Sequence, residues 1–505
     1  MIETATVRRG LPILLATLAL AQVCACGGGG GGSHGGGDAA PNAIQRENAE
    51  PGSDAWQFRR FGDRAADDTT EQIKGYASAT SADRGATVTF YVSVTPPQAY
   101  TIEIYRLGWY GAAGGRLMAT IDGLQGARQP ECPMDATTGL IACEWTPSAE
   151  VRIADSWTTG IYLAVLRNAE HFANLVPFVV RDDAHAPALL YQQSVTTYQA
   201  YNLYPDDGRR GKSLYGSSHG PPTISGGTRA VAVSFDRPYA GDGAGDLLRW
   251  EIHLVRWLER SGYDVGYTSD LDTHTSGARL LASQAFLVAG HDEYWSREMR
   301  DAVEAARDAG VNLAFLGANA AYWQVRFSPS ASGAADRVMT CYKDATLDPV
   351  QGPTTTVRWR DPLPNRPEQS LIGVQYTDII AGGIDGTYAG YTVTDAASWV
   401  YAGSGLADGD VVPGIVGYET DRLDPAYPTP GALEGTYEIL AASPFLNFAG
   451  EPAVANASIY RAPSGAWIFA AGTIGWSLAL DDVADARIQR TTANVLARFT
   501  GRSGD

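Results

Sequence analysis

Residues 285–316 constrain this chain more than any other stretch. Ala285-Phe286-Leu287-Val288-Ala289 is apolar throughout, the pattern of a buried strand. Ser296 is placed to cap a helix over 297–309, with Glu298 in its first turn and Gly310 as its stop. Val311 to Leu316 is a second apolar run. Strand, helix and strand this close together form a βαβ unit, hence a parallel sheet with a right-handed crossover. Other segments fit the same layer. Ala188 to Tyr191 is a short apolar run. Leu247, Leu248, Trp250, Ile252, Leu254, Val255, Trp257 and Leu258 share helical spacing over 244–261, and Gly262 ends that pattern. Residues 467–471 read as a late core strand and 483–499 as a closing helix. Between them, 340–460 reads as β-structure inserted into or appended to this core.

Residues 55–182 read as all-β. Apolar and polar residues alternate over 86–94 and 100–105, and further strands fall at 160–166 and 175–180. Turn signals separate them and no helical pattern intervenes, which predicts a β-sandwich. The polar stretch Arg181 to Pro187 breaks the pattern and puts the domain boundary at 182/183.

The N-terminus reads as an address. Arg8 and Arg9 precede an apolar run over 11–23 that is too short to span a bilayer. Val23-Cys24-Ala25-Cys26 then resembles a bacterial lipobox. The expectation is a signal peptide over 1–25, lipidation of Cys26 and a glycine-rich linker over 26–54. Nine of the eleven residues 27–37 are glycine. Contact with a membrane would then run only through the lipid at Cys26. The competing reading is plain secretion or a periplasmic location, with both cysteines incidental. Export agrees with the remaining cysteines: Cys132 and Cys143 flank a turn-rich stretch and read as a disulfide, while Cys341 reads as a buried, inert thiol. Asp and Glu outnumber Lys and Arg by 56 to 38, a net charge of −18. Such a chain is a poor nucleic-acid binder, since phosphate contacts need clustered cations.

Ligands of open α/β sheets bind beyond the carboxyl ends of the strands. Three such ends carry Thr197 to Asn202, Gly290 to Trp295 and Gly317 to Asn319. The turn at Gly290 reads as a tight strand-to-helix elbow that lifts His291 and Glu293 into the cleft, as nucleophile elbows do. No Ser or Cys stands at its tip, so a metal ligand or general base suits it better than a covalent nucleophile. The competing reading makes His291 and Glu293 helix caps and the tyrosines at 198, 201, 204 and 215 packing residues.

TYQAYN (197–202), GKSLYG (211–216), VSFDRPY (233–239), GHDEYWS (290–296), FLGANAAYW (315–323) and GYETDR (417–422) together resemble the C-terminal domain of the N,N-dimethylformamidase large (β) subunit family. YRLGWYGAAGG (105–115) and SWTTGIYLAVL (156–166) resemble the β-sandwich that precedes it. The resemblance implies an α/β plus all-β chain: a sandwich over 55–182, then a class I glutamine-amidotransferase-like (flavodoxin-like) parallel-sheet domain with β-rich insertions over 183–505. It implies one ferric iron, Fe(3+), per chain, held by Tyr201, Tyr215 and Glu293, with Tyr198 a rival to Tyr201. His291 would stand beside the metal or act in acid–base catalysis, and Asn319 and Glu419 would line the substrate site. The expected function is an exported, iron-dependent hydrolase of a C–N bond in a small amide, with a small subunit or a homo-oligomer as possible assembly. The alternative is a non-catalytic extracellular lipoprotein that binds a glycan or polymer and has kept or lost its site.

Overall fold

The computed structural model describes residues 40–219 and 228–501. The signal-peptide and Cys26 expectations lie outside them. The described chain is mixed α/β, with many sheets and few helices.

Two sheets are built before residue 182. In the larger, Gly160–Asn168 pairs antiparallel with both Ala99–Leu107 and Phe172–Arg181, and Gly115–Gln125 extends the Ala99–Leu107 side. In the smaller, Thr87–Val94 lies between Ile73–Ala77 and Ala149–Arg152. The alternation seen in the sequence puts Val88, Phe90 and Val92 inward, where they share one apolar cluster with Ile102, Ile104, Leu166 and Phe178 of the larger sheet. Cys132 and Cys143 are disulfide-bonded. Cys341 is buried, and burial pushes its thiol up to about 11.

The predicted parallel sheet is present. Val265–Ser269, Leu189–Gln193, Ala285–His291, Asn312–Ala318 and Trp467–Ala470 lie side by side in that order, all parallel. Pro452–Arg461 and Glu438–Leu446 continue it antiparallel. The crossover helix is Arg297–Asp308, and Ser296 caps it by accepting from the Met299 N–H at 3.1 Å. The Leu247–Glu251 segment starts as a π-helical turn before the α-helix Ile252–Arg260. The closing helix is Ala486–Thr500.

Two expectations are corrected. Gly290 is no strand-to-helix elbow. The strand runs on through His291, because Gly290 and His291 stay in register with Gly317 and Ala318. A further short strand, Tyr294–Ser296, pairs with Trp323–Ser328 before the helix begins. Nor does the linker reach residue 54. Ala43–Asn48 is a helix that Asn42 and Gln45 close with a capping box, and Ile44 is buried.

Residues 41–54 dock where the two parts of the molecule meet. The Asn48 side chain accepts from the Trp109 and Tyr110 N–H groups and donates to Glu259 at 2.8 Å. Glu259, on the helix Ile252–Arg260, is paired to Arg106 of the strand Ala99–Leu107 by two hydrogen bonds of 2.7 and 2.9 Å. Both side chains are fully buried. Arg106 also donates to the Thr159 carbonyl and the Tyr110 hydroxyl, and Tyr267 donates to Glu259.

Candidate functional site

The carboxyl ends of three adjacent strands, the loop that carries Tyr215 and a strand of a separate two-stranded sheet build a single buried cluster. Gly290 has φ of +66°, and a Cβ there would lie 2.6 Å from Trp250 Cβ. Only glycine turns the strand so close to Trp250. Thr197, in the helix Val195–Tyr201, accepts from the Glu293 N–H at 2.9 Å and fixes that backbone. The same helix ends at Tyr201. Asn319 follows Asn312–Ala318 in a left-handed conformation at φ +51°, and its N–H donates to Asp421 at 2.8 Å. Glu419 begins the strand Glu419–Arg422, paired with Gln375–Ile379.

Glu293 is the hub. Tyr201 donates to its Oε2 and Tyr215 to its Oε1, each at 2.8 Å. The two rings stack with centroids 4.3 Å apart. His291 Nε2 lies 3.1 Å from Glu293 Oε2 and 3.0 Å from Glu419 Oε2. Asn319 Nδ2 donates to Glu419 Oε2 at 2.9 Å and stands 3.2 Å from His291 Nε2. Tyr201, Tyr215, His291, Glu293, Asn319 and Glu419, named from a sequence span of more than two hundred residues, thus meet in one place. Tyr198 does not join them. Its hydroxyl donates to Glu251, and so does that of Tyr191.

Electrostatics follow from burial and neighbours. Burial works against an imidazolium at His291, but Glu419 and Glu293 outweigh it and hold His291 well above its ordinary value. Burial likewise opposes ionisation of Glu293, yet the hydrogen bond from His291 and the charges of His291 and Lys343 bring it below the usual carboxylate value. Burial, then the Glu293 charge, drives both phenols well above their ordinary value. Phenolates at 201 and 215 therefore need a compensating cation. The donor set suits a hard, highly charged one: two phenol oxygens, each within hydrogen-bond reach of the same carboxylate.

Lys343 is the residue that sequence reasoning missed. Its Nζ donates to the Tyr294 hydroxyl at 2.8 Å and sits 3.5 Å over the Tyr215 ring. Burial pulls it down to about 8. The available signal was rarity, since Lys74, Lys212 and Lys343 are the only lysines in the chain.

Glu251 beside the cluster carries a pH-dependent part of the stability. Burial pushes its carboxyl up to about 8, against an ordinary value of 4.5. The folded state therefore holds a proton there that the unfolded state has released. This contribution is whole below about pH 4.5 and fades as pH rises through about 8, at roughly 1.4 kcal/mol per pH unit in between. Replacing Glu251 by Gln should flatten the decline of urea-denaturation stability between pH 5 and 8. An unchanged slope would remove Glu251 as its cause.

Known proteins bear on this geometry. An N,N-dimethylformamidase beta subunit from Alcaligenes sp. is 25% identical over 430 residues, covering 71% of this chain and 54% of that protein. One from Paracoccus aminophilus is 26% identical over 304 residues, covering 52% of this chain and 38% of that protein. The chain thus spans about half the length of the first relative and less of the second. Among solved structures, a Paenibacillus sp. cycloisomaltooligosaccharide glucanotransferase aligns over 63% of this chain and 61% of that one, at 9% identity and a TM-score of 0.17, too low to inform the fold. The sequence model described as "N,N-dimethylformamidase beta subunit-like, C-terminal" matches residues 101–491, a stretch that holds every residue of the buried cluster, and the chain belongs to that family.

Proposed function

We propose that the protein is an iron-dependent hydrolase of the C–N bond of a small amide. One observation carries this reading: two phenols converge on one buried carboxylate, with His291, Asn319 and Glu419 packed against it. Tyr201, Tyr215 and Glu293 would hold the ferric ion, as three anionic oxygen donors that leave further positions open. When bound, that ion supplies a Lewis acid for the amide carbonyl and lowers the pKa of a water.

The chain's own groups supply the rest. Asn319 Nδ2 gives one N–H to Glu419 and keeps the other for an oxygen that gains negative charge, while Asp421 fixes the residue through its backbone N–H. His291 Nε2, between two carboxylates, carries the proton for the departing nitrogen. In the overall reaction the water oxygen joins the carbonyl carbon and the C–N bond breaks. The nitrogen takes its proton from His291, and the proton the water gives up returns to His291 by way of Glu419.

Residues 55–182 are read as a β-sandwich and 183–505 as a class I glutamine-amidotransferase-like domain. The shared apolar cluster of the first two sheets and the five adjacent parallel strands support this. Export, with an anchor at Cys26, rests on the leader sequence. The relatives' names as beta subunits support assembly with a partner subunit.

Metal analysis tests the reading. Purified protein should carry about one iron per chain and show visible tyrosinate-to-iron absorption. It should also cleave a member of a panel of small formamides and acetamides. Colourless, iron-free protein that binds polysaccharide would replace the hydrolase with the binding module. Tyr201→Phe and Tyr198→Phe separate the two rival phenols. The first should weaken and shift the absorption, since only Tyr215 then remains as a phenolate ligand. The second should keep it and lose about 1 kcal/mol of stability, through one buried hydrogen bond to Glu251. The opposite pattern would exchange their roles.

A further inference from the structure

A cavity of about 200 Å³ lies beside the centre, and Tyr201 forms part of its wall. Tyr198 and Tyr239 line it in an edge-to-face pair, with centroids 6.1 Å apart. Gly245 brings the backbone against the Tyr198 ring: its φ is +60°, and a Cβ there would lie 2.8 Å from a ring carbon. Two carboxylates, Asp206 and Asp246, complete the lining, and no Lys or Arg is among the lining residues. Asp246 stands at the head of the Leu247–Glu251 turn, yet its side chain caps no N–H there.

Aromatic rings beside carboxylates attract a small organic cation; the lining itself supplies no cation, and the charges that reach Asp246 come from His291 and Arg249 outside it. Ring faces draw a positive charge electrostatically, most strongly where water is excluded. A carboxylate forms its strong hydrogen bonds with a charged N–H donor. A neutral amide gains little from two carboxylates, and a carboxylate product would be repelled. Amide hydrolysis makes one cation, the released amine in its protonated form.

We propose that this cavity is an alkylammonium subsite that receives the amine product, with Asp246 pairing its charge and Tyr198 and Tyr239 packing against its alkyl groups. Asp206 stands at the exposed rim and draws the cation outward. The source of the cation rests on the hydrolase reading; the binding chemistry does not.

The test is calorimetric titration of the full chain with trimethylammonium chloride at constant ionic strength, with tert-butanol as the uncharged ligand of matching shape. Wild type should bind trimethylammonium and not tert-butanol. Asp246→Asn should weaken binding about tenfold, the loss of one charge-assisted contact. Tyr239→Leu should weaken it as well, and Glu293→Gln should bind as wild type does. Equal affinity for tert-butanol, or an Asp246→Asn protein that binds as tightly as wild type, overturns the subsite. So does loss of binding in Glu293→Gln, which would place the cation at the centre itself. Cation binding without cleavage of any amide sinks the hydrolase reading and leaves the subsite standing.

Discussion

Glu293→Gln should yield a folded, colourless protein without iron. Glu293 accepts from both phenols and from His291, so one substitution removes the charge on which the centre converges. A Gln of the same shape still accepts one hydrogen bond and donates others, so the packing survives while the donor set for a trivalent ion does not. Amide turnover should fall at least as far as the roughly 10²–10³-fold loss seen when one charge-stabilising group is removed. Iron content, visible absorption and circular dichroism on the same sample check this. Retained iron and colour would show that the ligands lie elsewhere.

The largest effect on stability should come from Arg106→Met. Arg106 and Glu259 are both fully buried and bonded at two points. Removing one partner leaves an uncompensated buried charge, at about 3–5 kcal/mol. The double variant Arg106→Met, Glu259→Met should recover much of that loss, because a buried ion pair and an apolar pair of similar volume differ little. Urea denaturation of the three proteins decides. A double variant as unstable as the sum of the two single ones would show that the neighbouring hydrogen bonds, and not the pair itself, hold the joint.

Legibility tracked how local each signal was. The parallel sheet could be read because its strands are uninterrupted apolar runs and its crossover helix starts at Ser296 and stops at Gly310. The alternation over 86–94 told the inner face of a sheet for the same reason. The step after His291 was misread because the pairing of Tyr294–Ser296 with Trp323–Ser328 is set by a partner about thirty residues away. Residues 41–54 were misread because their polar composition hides two buried side chains, Ile44 and Glu47, behind a capping box. At the site, His291 and Glu293 stood out as polar residues at a strand end. Glu419 meets Asn319 across a hundred residues, and no spacing pattern reaches that far. It came only through the family resemblance. Lys343 matched no motif, and a lone lysine near a ring is invisible until the ring's position is known.

The helix Ala43–Asn48 has a mechanical consequence. Asn48 grips Trp109 and Tyr110 on one side and Glu259 on the other. A pull arriving at Pro41 is therefore shared between both halves at their seam before it reaches any strand of the parallel sheet. The two halves would move as one rigid load, and tension at that point would leave the spacing of the oxygen donors undisturbed.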